Sequence, residues 1–341
     1  MIAAQTGLSL ATVSLGLRRS PLLTVETCTR VQNAAAEIGY RPDPDVAKLM
    51  TRLRLGRTPS FKSTLYALTT CTPNSFTQYA QDVRNSARQR ADELGYGFVV
   101  EQVNPRTYNR RTFQRALVNQ GIEGILLLPM ATPLPVDDLL DWSRFSVLSA
   151  TYGVLSPEFH RVVPHQFSNI RMACKELAAL GYRRIGLIHG LHQSTTVNHG
   201  FLAAVATQNL VGPTAPVLPL LYSTPLPTGV ASWLKREKPD AVIIDGEHIH
   251  DAVLRELGVK TLHPLGVVLT SRERDSLLSG IDEHGKAVGR VAVEQLALKI
   301  QHGDKGIPAE PIVTMVEGHW IATRSVRRQS AAGRARAVAS R

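Results

Sequence analysis

The sequence predicts an α/β chain: a three-helix helix-turn-helix unit at the N-terminus, then two doubly wound parallel-sheet lobes. Three observations predict it. From residue 63 onward, short apolar runs alternate with amphipathic helical stretches, the pattern of parallel strands covered by helices on both faces. The chain is 341 residues long, more than one core of about 150 residues accommodates. The first 40 residues carry helical periodicity only, punctuated by glycine and by capping residues.

Within that N-terminal unit, residues 1–6 read as a first helix stopped by Gly7. Ser9 can cap a second helix that runs through Leu17, its hydroxyl accepting a backbone N–H at the next turn. Thr24 can cap a third, Val25 to Ile38, ended by Gly39. Helix, glycine-containing turn and second helix make a helix-turn-helix pattern. Ala3, Val13, Leu17, Val31, Ala35 and Ile38 supply its small core. A unit of about 40 residues buries little surface and is marginally stable alone.

The prolines of Tyr40-Arg41-Pro42-Asp43-Pro44 forbid helix continuation. Residues 45–54 suit a short helix whose apolar side chains have no core of their own to join, and residues 56–59 read as a linker. Strands are expected at 64–70, 97–103, 124–129, 145–150, 185–189, 216–221, 241–245 and 265–270. Helices are expected near 78–95, 108–120, 168–181, 196–209, 228–237, 248–257 and 285–302. Eight strands divide into two lobes, and ligands of such sheets bind at the carboxyl ends of strands, here in the cleft. Residues 324–341 are rich in Arg, Ala and Ser without periodicity and read as a basic disordered tail.

The net charge of +11 is concentrated at the ends. Residues 1–62 hold nine Lys/Arg against four acids, and residues 324–341 hold six Arg and no acid. The stretch between them is neutral. A basic N-terminal segment on a neutral body suggests a polyanionic partner. No apolar run reaches the ~18 residues of a membrane span, and the N-terminus lacks the pattern of a secretory signal. Cys28, Cys71 and Cys174 are odd in number and scattered, so they read as free thiols in a reducing cytoplasm. The histidines 189, 192, 199, 248 and 250 come with no HExxH motif or cysteine pairing, so no metal site is expected. There is no P-loop, GxSxG elbow or GxGxxG after a strand. Neither catalytic residues nor a cofactor are expected, and the chain does not read as an enzyme.

The run Ile2-Ala3-Ala4-Gln5-Thr6-Gly7-Leu8-Ser9-Leu10-Ala11-Thr12-Val13-Ser14, followed by Ala34-Ala35-Ala36-Glu37-Ile38-Gly39-Tyr40-Arg41-Pro42, closely resembles the headpiece of the LacI/GalR family of bacterial repressors. The likeness continues at Leu180-Gly181-Tyr182-Arg183-Arg184-Ile185-Gly186, at Gly280-Ile281-Asp282 with Gly289-Arg290-Val291-Ala292, and at Ala322-Thr323-Arg324-Ser325. It implies a sequence-specific DNA-binding transcription regulator, a repressor in the family's usual manner, cytoplasmic and homodimeric; pairing of dimers into tetramers stays open. The partners it implies are a double-stranded operator with two-fold symmetry and a small-molecule effector, sugar-like or another metabolite. The implied organisation is a DNA-binding headpiece over 1–40, a hinge and linker over 41–60, a two-lobed effector-binding and dimerisation domain over 61–323, and the tail. The sensor domain resembles type I periplasmic binding proteins. The competing readings are a solute-binding protein and a regulator that has lost DNA binding.

By that resemblance the helix from Leu10 to Leu17 is the recognition helix, which enters the major groove. Leu10, Ala11 and Leu15 fall where the family reads bases; Thr12 and Ser14 fall where hydroxyls contact phosphate, which positions without specifying. The family often has Arg where this chain has Leu15, so a guanine contact gives way to apolar contact with a thymine methyl. Arg18 and Arg19 can reach phosphates or bases. Val46 to Arg52, with Val46, Lys48 and Leu49, matches the hinge helix, and Leu49 matches a leucine wedged into the minor groove, which kinks the duplex. The family's cleft arginine falls on Val197, and its aspartate after the strand near 265–269 falls on Thr270. Losing both grips argues against an ordinary sugar effector. The remaining effector candidates at strand ends are Thr70, Met130, Tyr152, Phe167, Asn198, Asp245 and Asp282. The chain also begins inside the family's first helix, so the resemblance implies either a truncated first helix or, the favoured expectation, a true start upstream of Met1.

Overall fold

The computed structural model describes residues 2–17, 23–38, 63–72, 77–104, 109–212 and 216–329. Contacts divide the chain into two compact units, Met1–Ser60 and Phe61–Arg341.

In the first unit, α1 (Ile2–Thr6), α2 (Leu10–Leu17) and α3 (Val25–Glu37) follow one another. Ser9 Oγ accepts the Thr12 N–H at 3.1 Å and Thr24 Oγ1 accepts that of Thr27 at 3.3 Å, so both caps sit where the sequence puts them. Gly7 at φ +63° turns the chain between α1 and α2. Ile2, Val13, Val31, Ala34 and Ala35 form the core, with Ala3, Leu8, Leu17 and Ile38 packed against it. A Cβ on Gly16 would lie 2.8 Å from Val31 Cγ2, which is how closely α2 approaches α3. The Arg30 guanidinium donates to Thr6 O at 2.5 Å and Gln5 donates to Glu37 at 2.6 Å, tying α1 to α3.

The second unit holds two six-stranded sheets. The first lobe contains β1 (Thr64–Thr69), α4 (Gln78–Glu93), β2 (Gly97–Gln102), α5 (Arg110–Asn119), β3 (Gly124–Leu127), β4 (Ser146–Ser149) and β5 (Arg161–Pro164). The chain then crosses to the second lobe for α6 (Gln166–Ala179), β6 (Ile185–Gly190), α7 (Leu191–Ser194), α8 (Gly200–Val211), β7 (Val217–Tyr222), α9 (Val230–Glu237), β8 (Ala241–Ile244), α10 (Glu247–Leu257), β9 (Gly266–Leu269) and β10 (Ser279–Asp282). It returns to the first lobe through α11 (Gly285–His302) and β11 (Val313–Val316), then crosses again to β12 (His319–Ile321). The first sheet runs β11-β5-β4-β3-β1-β2, all parallel. The second runs β12-β10-β9-β8-β6-β7, parallel except for the edge strand β12.

Each sheet is covered on both faces. In the first lobe α4 and α11 bury Val83, Ala87, Val288, Ala292 and Leu296 against one face, and Leu117, Trp142, Phe145 and Phe159 close the other. In the second lobe α6 and α8 cover one face through Ile170, Leu177, Phe201 and Val205, and α9 and α10 cover the other through Trp233, Ile249 and Val253. The core strands β3, β4, β8 and β9 are buried at every position, as apolar runs between two helical layers must be.

Three segments join the lobes: 164–166, 282–285 and 316–319. They are bound to one another. His165 Nδ1 lies 2.6 Å from Glu317 Oε1, His284 Nδ1 lies 2.9 Å from Glu317 O, and Gly318 N donates to Asn169 Oδ1 at 3.1 Å.

The helix expected at 196–209 starts later. Residues 195–197 form a 3-10 turn, Asn198 and His199 both take left-handed φ (49° and 55°), and α8 begins at Gly200; two consecutive left-handed residues end one helical path before the next begins. The segments 39–62 and 330–341, which hold the expected hinge, linker and most of the expected tail, lie outside the described residues. Among the described residues no helix is long and apolar enough to cross a membrane.

Candidate functional site

Of the expected DNA contacts, Leu10, Ala11, Thr12, Ser14 and Leu15 lie on α2. Thr12 and Leu15 are half-buried, and the Thr12 hydroxyl lies 2.9 Å from that of Ser9. Val13 and Gly16 face α3. Arg18, Arg19, Val46, Lys48 and Leu49 lie outside the described residues.

The expected effector contacts stand at strand ends of the two lobes. In the first lobe, Thr70 follows β1 and accepts the Ala131 N–H at 2.9 Å. Met130, after β3, is nearly buried and packs in the cluster with Leu68 and Val136; Thr70 and Met130 line one cavity of about 250 Å³. Tyr152, after β4, has the Arg161 guanidinium 5.3 Å from its ring centre. Phe167, in the first turn of α6, has the His165 ring centre at 6.5 Å and the Arg171 guanidinium at 5.8 Å from its own ring centre. Tyr152 also hydrogen-bonds the Asn198 side chain, a bond from one lobe to the other; burial raises the Tyr152 phenol pKa, with Arg161 and Asn198 opposing.

In the second lobe the ends of neighbouring strands form a row. Leu187, Ile243, Val268 and Ile281 face α6 and α8. Side chains alternate along a strand, so His189, Asp245, Thr270 and Glu283, each two residues further on, continue that face beyond the apolar core. Asp245 Oδ2 lies 3.2 Å from His189 Nδ1, and Thr270 Oγ1 donates to Asp245 Oδ1 at 3.0 Å. In the neutral ring, a carboxylate partner makes Nδ1 the donor and leaves His189 Nε2 a bare acceptor. That nitrogen is buried with no hydrogen-bond partner among the described residues, as are Tyr222 Oη and Glu247 Oε1. Glu283 accepts from Gln166 Nε2 at 2.5 Å. Burial, reinforced by Asp245 and Asp282, pushes its carboxyl up to about 7 against the hydrogen bonds from Ser271 and Gln166. Asp282 itself accepts the His284 N–H at 2.8 Å. Glu283 and Asp282 line a second cavity, about 430 Å³, with Tyr79 and Asp82 of α4 on its other wall. Arg274 bridges to Asp82 at 3.1 Å there.

Strand-end reasoning thus reaches Asp245 and Asp282 but misses His189, Glu283, Gln166 and Tyr222. The available signal was a polar residue closing an apolar run, as in Ile185-Gly186-Leu187-Ile188-His189.

No protein-family model matches the chain. It is 24% identical over 192 residues to the HTH-type transcriptional repressor CytR of Escherichia coli, covering 55% of this chain and 52% of CytR. It is 24% identical over 209 residues to the HTH-type transcriptional repressor PurR of Pectobacterium carotovorum, covering 60% of this chain and 58% of PurR. The chain spans about half the length of the curated relatives it matches. The Lac repressor dimer, solved bound to operator and an anti-inducer, superposes with a TM-score of 0.57 over 96% of this chain and 98% of that one, at 18% identity. Its fold is that of the LacI-family regulators. In that LacI-family fold the described part of the chain keeps both modules: the three-helix unit, and a two-lobed unit with polar groups gathered at its strand ends.

Proposed function

We propose that the chain is a LacI/GalR-type transcription regulator, a repressor whose affinity for an operator is controlled by a small molecule bound between the two lobes. The observation that carries this is the pairing, in one chain, of a capped helix-turn-helix unit with a two-lobed α/β unit. In the latter, buried polar groups line the strand ends and three crossing segments join the lobes. The similarity to CytR and PurR supports it. A half-site read by one headpiece is short, so two copies of the chain bind an operator of matching two-fold symmetry. Ligand binding changes lobe closure, and the hinge transmits the change to the headpieces. In this reading the protein is a cytoplasmic homodimer without catalytic activity.

In the hinge, Leu49 is the residue assigned to wedge between base steps, at a deformation cost of a few kcal/mol offset by wider contact. The test uses purified full-length chain and duplex fragments from upstream of its own gene, with unrelated duplex as reference. One fragment binds in preference, and Leu49→Ala weakens that preferred binding far more than binding to the reference. Equal losses on both DNAs contradict the wedge, and no preference for any duplex contradicts the whole reading.

A further inference from the structure

The polar row of the second lobe has a charge and donor balance that selects its ligand. We propose that the cleft takes a small organic cation, an amine that also offers hydroxyl or N–H donors, gripped by the Asp245 carboxylate and the His189 ring. This rests on the reading of the cleft as the effector site and names the chemistry it selects.

Two kinds of observation support it, starting with unmet acceptors. His189 is fully buried; in its neutral form, with Nδ1 donating to Asp245, its Nε2 is an acceptor that meets no donor among the described residues. Glu247, two residues beyond Asp245, likewise buries Oε1 without a donor among the described residues. An unmet buried acceptor costs desolvation that a donor restores, so an occupant has to bring hydrogens. Thr270 cannot supply them, because its hydroxyl already donates to Asp245.

The other observation is uncompensated negative charge. Asp245 closes β8, and Asp282 and Glu283 close β10 of the same sheet, with Thr270 at the end of β9 between them. Burial, with the negative charges of Asp245 and Asp282 adding to it, holds the Glu283 carboxyl up at about 7, and burial with Asp245 likewise raises the Tyr222 phenol. Among the described residues, the arginines nearby are engaged or lie in the other lobe. The Arg272 guanidinium is spent on the carbonyls of Leu278, Glu273, Arg274 and Ser276, and Arg274 pairs with Asp82. Lys286 lines the 430 Å³ cavity alongside Asp282 and Glu283, so the unbalanced charge of the row centres on Asp245; Arg161 lies over Tyr152 in the other lobe. Val197, buried in the same apolar cluster, brings no charge. A carboxylate or phosphate ligand would add to this negative charge, whereas an ammonium offsets it and donates up to three hydrogens.

The test is binding to the full-length chain of two matched sets, each a cation, a neutral and an anion on one skeleton: glucosamine, glucose and glucuronate; putrescine, butane-1,4-diol and succinate. Titration calorimetry and thermal shift give the affinities. The cation of at least one set binds roughly tenfold or more tightly than its neutral partner, and its anion does not bind. Asp245→Asn removes that advantage while the melting temperature stays near that of the unsubstituted chain. Should the variant fail to fold, the two sets on the unsubstituted chain decide. Failure of both cations to bind, an anion or neutral binding as tightly as its cation, or an advantage that persists in a folded Asp245→Asn variant overturns the proposal. DNA binding is measured on the same preparations. A chain that binds duplex DNA but no cation loses this proposal alone; one that binds the cation but no DNA contradicts the regulator reading instead.

Discussion

Glu283 is the side chain whose burial has the clearest consequence in solution. It is 7% exposed, among other acids, and its carboxyl is held at about 7 instead of the ordinary 4.5. The folded chain therefore binds a proton that the unfolded chain has released between those two values. The stability from this proton uptake is full below about pH 4.5 and is lost as pH rises through 7. The span of the shift corresponds to roughly 3 kcal/mol. Denaturant unfolding of the unsubstituted chain and of Glu283→Gln, at pH 4.5 and 7.5, reads it directly. The unsubstituted chain loses about that much relative to the variant, and parallel pH profiles would show that Glu283 stays ionised. Asp245 follows a different logic: its oxygens are held by His189 and Thr270 from the strands on either side, so it is positioned before any ligand arrives.

At the scale of elements, α4 and α11 show how small residues set a distance. A Cβ on Gly289 would strike the Val83 carbonyl oxygen and the Ser86 hydroxyl, and one on Gly285 would lie 2.8 Å from Tyr79 O. The two helices pack with Ala80, Val83 and Ala87 against Val288 and Ala292. Gly289→Val is expected to destabilise the chain by about 2–3 kcal/mol, because helix backbones must separate to admit it. Leu298→Ala, at an exposed position of the same helix, changes stability by less than about 0.5 kcal/mol. Thermal or denaturant unfolding compares them, and equal effects would mean that the contact yields. Most elements were legible before the structure: the eight strands and seven helices read from residue 63 onward all occur. The strands not foreseen are β5, β10, β11 and β12. Each has four residues or fewer, and their sequences explain the omission: β10 begins Ser279-Gly280, β5 ends in Pro164, and β11 and β12 are half-exposed edge strands without a clean apolar run. The candidate site was legible one strand end at a time. The row His189-Asp245-Thr270-Glu283 was not, because it depends on which strands lie side by side: β8 comes next to β6, and β9 next to β8, only through helical crossovers.

At the scale of the molecule, the sequence's charge distribution and the fold point the same way. The excess positive charge lies in residues 1–62 and 324–341, and the neutral stretch between them holds the two-lobed unit with its acidic strand ends. A regulator of the proposed kind uses that division: phosphates are bound through basic side chains of the headpiece and hinge, and the ligand is bound elsewhere. The most direct measurement is the salt dependence of binding by the full-length chain to its preferred duplex. A protein that neutralises 6–10 phosphates loses roughly a thousandfold or more in affinity between about 50 and 200 mM salt, with a linear log–log slope. That steep, linear loss is the expected result. An affinity that barely changes with salt, or no double-stranded site bound at low salt by chain with an intact N-terminus, would contradict it.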